Sequence, residues 1–186
     1  MSLFNVYPLY QMTPSHAKMC YVYEKNGTKY LDLYGGHAVI SIGHSHPKYV
    51  KALTNQLNNI GFYSNYIINE LQLSVANEIK IQSNCNDYNL FMTNSGAESN
   101  ENALQVASFY TKKSRIIAFK NSFHGRSNAA LSITDNHNIK SKLNEEINVT
   151  FLNFNDKKNF KKEISKGDVC SVIFESIQGV GGLDEP

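Results

Sequence analysis

The chain holds 186 residues, 41% of them hydrophobic and 18% charged, with a formal net charge of +2. That length supports one sizeable domain with its own core. The composition excludes a disordered chain, and the charge is too small to argue for nucleic acid. Cys20, Cys85 and Cys170 lie far apart with no CxxC spacing, which argues against a disulfide framework or a zinc site and for a reducing compartment. The opening SLFNVYPLYQ lacks the basic and apolar regions of a secretory signal. No apolar run approaches the roughly 18 residues of a membrane span, so the expected location is the cytoplasm.

Residues 19–34, MCYVYEKNGTKYLDLY, carry two β-rich runs around Asn26-Gly27, a strong hairpin signal. The glycine-punctuated loop GGHAVISIGHSHP follows. Pro47 suits a first helical turn; Val50, Leu53, Leu57 and Ile60 then share one face, and Gly61 closes it. A second helix is expected after Asn69, with Gln72 as capping-box partner and an apolar face of Val75, Ala76 and Ile79. Residues 89–93 read as a short buried strand, and Ala103, Val106, Ala107 and Tyr110 mark the next helix. Strands are expected at 115–119, 149–152 and 169–174. A small helix around Phe160 and Ile164 should be capped by Asn155 or Asp156. DNHNIKSKLNEEIN is polar and expected at the surface, and Lys157, Lys158, Lys161 and Lys162 read as a solvated helix face. Apolar strands separated by helices indicate an α/β fold with a mainly parallel sheet.

Between the strand expected at 89–93 and the following helix lies Asn94-Ser95-Gly96-Ala97. Small residues let an anion approach the backbone closely. The first N–H groups of a helix are unpaired and carry the positive end of its dipole. Neither GxxxxGK[ST] nor GxGxxG is present. Taken alone, the turn fits an ordinary cap by Asn94 or Ser95 as well as a phosphate cradle.

The segment NSGAESNENALQVA closely resembles the cofactor-phosphate motif of the class III aminotransferases, the ornithine and acetylornithine branch of the fold-type I pyridoxal-phosphate enzymes. Three other stretches agree in order and spacing: LDLYGGHAVISIGHSHP at 31–47, FHGRS at 123–127 and IFESIQGVGG at 173–182. The resemblance implies the N-terminal segment of that fold and the first half of its large-domain sheet. Residues 1–48 would form the hairpin and active-site loop, and 49–186 the first part of the cofactor-binding domain. By the same resemblance, Ser95, Gly96 and Ala97 hold the phosphate of pyridoxal 5'-phosphate. Phe123 stacks on its pyridine ring, which suits a flat aromatic, and His124 shapes that face. Glu175 and Gln178 lie beside the cofactor. A carboxylate at the end of an apolar strand needs a partner, or its pKa rises. Arg126 matches the arginine that holds a substrate carboxylate through its planar fork, with a surface ion pair as the plain alternative. His37 and Tyr63 match regions lining the active-site entrance and are candidate substrate contacts. His44 and His46 lack the further ligands of a zinc set, so no metal is expected. Glu98, in the first helical turn, suits the helix dipole.

Two departures stand out. Ser176 replaces a frequent proline. Val180 stands where the family's Gln-Gly-Glu-Gly-Gly carries a glutamate. That glutamate often pairs with an arginine that also receives the amino-acid α-carboxylate, and valine cannot. Acetyl and succinyl substrates both stay open. In the family, the lysine that forms the Schiff base and the aspartate facing the ring nitrogen belong to later motifs. Lys112, Lys113, Lys120 and Asp184 occupy other contexts, so no catalytic residue is nominated. The chain is expected to be the first half of a longer aminotransferase, inactive alone and homodimeric at full length. The expected reaction moves the ω-amino group of N-acetylornithine or N-succinylornithine to 2-oxoglutarate in arginine biosynthesis. The expected partners are thus a small amino donor and a 2-oxo acid, with neither nucleic acid nor membrane. The rivals are another class III ω-aminotransferase acting on ornithine, 4-aminobutyrate or a diamine, and a non-catalytic cofactor-binding or assembly fragment.

Overall fold

A computed structural model describes residues 3, 4 and 6–186. They pack as two units that divide between Val75 and Ala76. The boundary expected at residue 48 separates segments by role rather than by packing and remains a proposal.

The first unit contains an antiparallel sheet of β1 (Pro14–Lys18), β2 (Tyr21–Glu24) and β3 (Lys29–Leu31), in that order. The expected hairpin joins β2 to β3. Gly27, at φ +89°, makes the turn and donates its N–H to the Glu24 carbonyl, a conformation that glycine adopts without steric cost. The Glu24 carboxylate accepts from the Tyr30 hydroxyl and the Thr13 N–H, both at 3.0 Å. Strand β1 was not expected, because PSHAK has no apolar alternation. It forms by pairing with β2, and the His16 ring stacks flat on Tyr23 with centroids 4.6 Å apart. Helix α1 (Pro47–Asn59) begins at its proline as expected. Helix α2 (Glu70–Ser83), which runs through the division at Val75 and Ala76, is capped by Asn69, whose side chain accepts from the N–H groups of Leu71 and Gln72. The Gln72 side chain makes no reciprocal bond, so the capping box is half formed. The expected apolar positions Leu57 and Val75 are exposed.

The second unit contains α3 (Gly96–Thr111), β4 (Arg115–Phe119), α4 (Asn128–Ser132), β5 (Val149–Leu152), α5 (Lys157–Ile164) and β6 (Val169–Val172). The strands form a parallel sheet in the order β5-β4-β6. The central strand reads RIIAF, the near-continuous apolar run of a strand covered on both faces, and Ile117 and Ala118 are fully buried. Leu104 of α3 packs with Ile116, Ala118 and Ile133 in the core cluster. On the alternate face, Phe119 meets Phe154 at 4.9 Å and Phe160 of α5 at 6.5 Å. Arg115 ties the base of this unit together. Its guanidinium donates to both carboxylate oxygens of Asp168, to the Glu163 carboxylate and carbonyl, and to the Thr150 hydroxyl. Those bonds hold its pKa above the usual arginine value, with Asp168 the main cause.

The structure corrects several expectations. Residues 89–93 are not a strand: a strand exists through its hydrogen-bonded neighbour, and none of the described residues pairs with them. Phe91 is 71% exposed. Helix α3 turns Leu104 inward, while Val106 and Tyr110 lie exposed. Strand β6 ends at Val172, although the Ile173 N–H still reaches the Ile117 carbonyl. The polar stretch around 135–148 buries Asn144, whose side chain accepts from Ser141 and donates to Asn128. Of the two candidate caps for α5, Asp156 is the one used. No helix among the described residues is long and apolar enough to cross a membrane.

Candidate functional site

Helix α3 opens at the SGA turn. Ser95 is its N-cap in extended backbone, and its hydroxyl accepts from the Glu98 N–H at 3.2 Å. The Glu98 carboxylate reaches back to the Asn94 N–H at 2.6 Å. Among the described residues, no acceptor takes the N–H of Gly96 or Ala97. Two donors therefore stand open at the positive end of a helix of 16 residues.

The FHGR loop leaves the carboxyl end of β4 and lies against that helix end. Gly125 decides the contact. It sits at φ +133°, and a Cβ there would fall 2.6 Å from the Ala97 Cβ and 3.1 Å from the Ala130 Cβ. Only a residue without a side chain lets the loop approach this closely. Two neighbouring residues of α3 then hold it. The Asn100 amide donates to the His124 carbonyl at 2.8 Å. The Glu101 carboxylate accepts from the Ser127 hydroxyl and from the N–H groups of Ala129 and Ala130 at 2.8–3.1 Å. The Thr134 hydroxyl accepts from the His124 N–H at 2.9 Å.

The ESIQGVGG segment closes the arrangement from beyond β6. Glu175 accepts the Phe123 N–H at 2.8 Å and the Gly179 N–H at 3.3 Å, so the carboxylate has the partners that its position demands. Gln178 is fully buried, and its amide donates to the Lys120 carbonyl at 2.7 Å. Its backbone bridges to Asp184. Gly181 packs so tightly that a Cβ there would lie 2.3 Å from the Asn121 carbonyl oxygen. Ser95, Gly96, Ala97, Phe123, His124, Glu175 and Gln178 are thus carried by three segments that interlock at the carboxyl ends of β4 and β6, the side where open α/β sheets bind ligands.

Burial pushes the His124 imidazole below its ordinary pKa, against a smaller upward pull from Glu175. Its Nε2 and the Gln178 Oε1 are buried with no hydrogen-bond partner among the described residues. Unpaired buried polar atoms are costly unless a ligand or water satisfies them. Phe123 is half-buried and Arg126 exposed. Arg126 lines a depression of about 420 Å³ with Asn128, Leu131, Ile139, Leu143 and Glu146.

His37 and Tyr63 belong to the first unit. His37 lies in a turn where Gly35, Gly36, His37 and Ala38 all have φ between +56° and +59°. Left-handed backbone costs about 1–2 kcal/mol for each residue that carries a Cβ. Asp32 braces the turn, accepting from the Tyr34 and Gly35 N–H groups at 2.9 and 2.8 Å. It also pairs with His44 Nε2 at 2.6 Å, so His44 is committed to a carboxylate. These partners, His44 first, hold the Asp32 carboxyl below its usual range. Tyr63 is exposed in the connection between α1 and α2.

The sequence reading missed Asn100, Glu101 and Thr134. A signal existed for the first two: Ala97, Asn100, Glu101 and Leu104 recur at i, i+3, i+4 and i+7, the spacing of one helix face.

The family model described as Aminotransferase class-III matches residues 5–186. The chain is 36% identical to an acetylornithine aminotransferase of Bacillus amyloliquefaciens over 184 residues, 98% of this chain and 80% of that one. It is 36% identical to the acetylornithine aminotransferase of Bacillus subtilis, again over 98% of its own length but 47% of the relative's. The ornithine aminotransferase of Toxoplasma gondii ME49 superposes with a TM-score of 0.88 at 22% identity, over 99% of this chain and 45% of that one. The chain thus spans about half the length of the last two.

Proposed function

The chain belongs to the class-III aminotransferase family, and from that premise we propose that it serves an enzyme moving the ω-amino group of N-acetylornithine or N-succinylornithine to 2-oxoglutarate, in arginine biosynthesis. The observation that carries this reading is the contact of Gly125 with Ala97, which sets an arginine-bearing loop on a helix end with two open N–H donors. Pyridoxal 5'-phosphate is the cofactor of that family, and the residues present fit it. The open N–H groups of Gly96 and Ala97, with the Ser95 hydroxyl, suit its phosphate. Phe123 offers a flat face to its ring. The unpaired His124 Nε2 and Gln178 Oε1 offer polar atoms within the same frame. When bound, the cofactor supplies an electron sink for the substrate carbon that carries the amino group.

The roles of this chain's own residues are binding and orientation. Ser95, Gly96 and Ala97 hold the phosphate. Glu175 fixes Phe123 through the backbone, and Gln178 fixes the end of β4 through the Lys120 carbonyl. Arg126 takes the substrate carboxylate in a bidentate pair. His37 and Tyr63 are candidate substrate contacts on the strength of the family resemblance alone. None of the lysines is assigned to the cofactor aldehyde; Lys120 Nζ stands 3.7 Å from Asp135. The working form is proposed to be a cytoplasmic homodimer.

Arg126→Ala tests the reading. Acylornithine turnover should fall by about tenfold or more, as for a lost charge-assisted bond, while a diamine without a carboxylate reacts as before. Unchanged acylornithine turnover would sink the substrate assignment.

A further inference from the structure

We infer that Glu101 is a positioning residue for Arg126: it caps a helix that is not its own and thereby sets where the substrate carboxylate is received. The inference rests on the proposed function. Helix α4 begins directly after the FHGR loop, with Ser127 at its N-cap. A serine there ordinarily accepts from its own helix. This one makes no such bond and instead donates its hydroxyl to Glu101 at 2.8 Å. The open N–H groups of Ala129 and Ala130 also turn to Glu101, at 3.0 and 3.1 Å. One carboxylate from α3 therefore does the capping work of α4.

The consequence falls on Arg126. It is the residue immediately before the capped turn, and its other side is pinned where Asn100 holds the His124 carbonyl. Asn100 and Glu101 are adjacent on the helix whose first residues form the anion site. The phosphate end and the arginine are thus tied to one rigid element at fixed spacing. Every group that Glu101 contacts is a donor. Glutamine would keep its size and one acceptor oxygen, but its NH2 would face the N–H of Ala129 or of Ala130, which cannot accept from it.

The holoenzyme is compared as wild type, Glu101→Ala, Glu101→Gln and Ser127→Ala, the last removing one of three bonds. For both Glu101 variants the KM for N-acetylornithine should rise by about tenfold or more, because small misplacements of a positioning group are costly. The KM for a carboxylate-free diamine should stay within about twofold. Pyridoxal-phosphate affinity, titrated by absorbance on the apoprotein, should stay within about threefold, because the phosphate turn, the Gly125–Ala97 contact and the Glu175 bond to the Phe123 N–H do not involve Glu101. Trypsin cleavage of the apoprotein after Arg126 should accelerate about fivefold as the loop opens locally, with Ser127→Ala in between. The inference is overturned if both substrates' KM values rise together, or if neither moves and the tryptic rate stays at wild type. Damage from Arg126→Ala without damage from either Glu101 variant would remove this inference alone. No damage from Arg126→Ala would remove the functional reading beneath it.

Discussion

Gly125→Ala probes the contact on which the site is built. The new methyl would sit 2.6 Å from the Ala97 Cβ, 3.0 Å from the Ala97 Cα and 3.1 Å from the Ala130 Cβ. None of these is the far end of a flexible side chain, so none can swing away. The backbone at φ +133° is also one that L side chains rarely adopt, a strain of about 1–3 kcal/mol. Crowding a packed contact adds about 1–3 kcal/mol. The sum, about 2–6 kcal/mol, is a large share of the roughly 5–15 kcal/mol that keeps a domain folded. If the loop relieves the clash by lifting from α3, the proposed stacking of Phe123 on the cofactor is disturbed with it, and cofactor affinity falls. Urea unfolding, with the midpoint compared at constant slope, measures the first effect, and absorbance titration with pyridoxal phosphate the second. Gly179→Ala is the control, since its Cβ meets nothing within 4 Å; it should change stability by less than about 0.5 kcal/mol. A Gly125→Ala protein as stable as the control, with wild-type cofactor affinity, would refute the idea that the loop is seated by steric contact.

Gly181→Ala should destabilise by about 1–3 kcal/mol, because its Cβ would lie 2.3 Å from the Asn121 carbonyl oxygen and the GVGG turn must lift off the loop after β4. An unshifted urea midpoint would show that the turn is not packed there. The His124 prediction concerns pH: its folded pKa lies below the ordinary value because the ring is buried, so the unfolded chain takes the proton first. Stability is therefore full above about pH 6.5 and declines as pH falls from there toward the folded pKa. His124→Asn should flatten that acid limb below about pH 6.5, and an unaltered slope would assign the limb to other groups.

Local signals in this sequence are legible where backbone chemistry within a few residues decides the outcome. Asn26-Gly27, Pro47 and Ser95 each mark the turn or helix start that the structure contains, because a φ preference or a cap acts on its immediate neighbours. RIIAF is legible for a different reason: a strand covered on both faces favours an unbroken apolar run, here Ile116 to Phe119, after an arginine whose guanidinium is fully paired. Residues 89–93 fail the same test: Leu90, Phe91 and Met92 are exposed, because apolar character alone secures neither burial nor the second segment that pairing needs. The rotation of α3 is the more instructive miss. Apolar periodicity points to Val106 and Tyr110, but the working face is Ala97, Asn100, Glu101 and Leu104, half of it polar. Those polar residues lie inward because the FHGR loop brings backbone donors and a carbonyl that need partners, and Asn100 and Glu101 supply them. Hydrophobic pattern cannot register a residue whose task is to satisfy another segment's backbone. The FHGR motif indicates what the loop could hold, but its position depends on acceptors and donors drawn from α3, from Thr134 and from Glu175. Each N–H around the loop needs an acceptor: Glu175 takes that of Phe123, Thr134 that of His124, and Glu101 those of Ala129 and Ala130 at the start of the next helix.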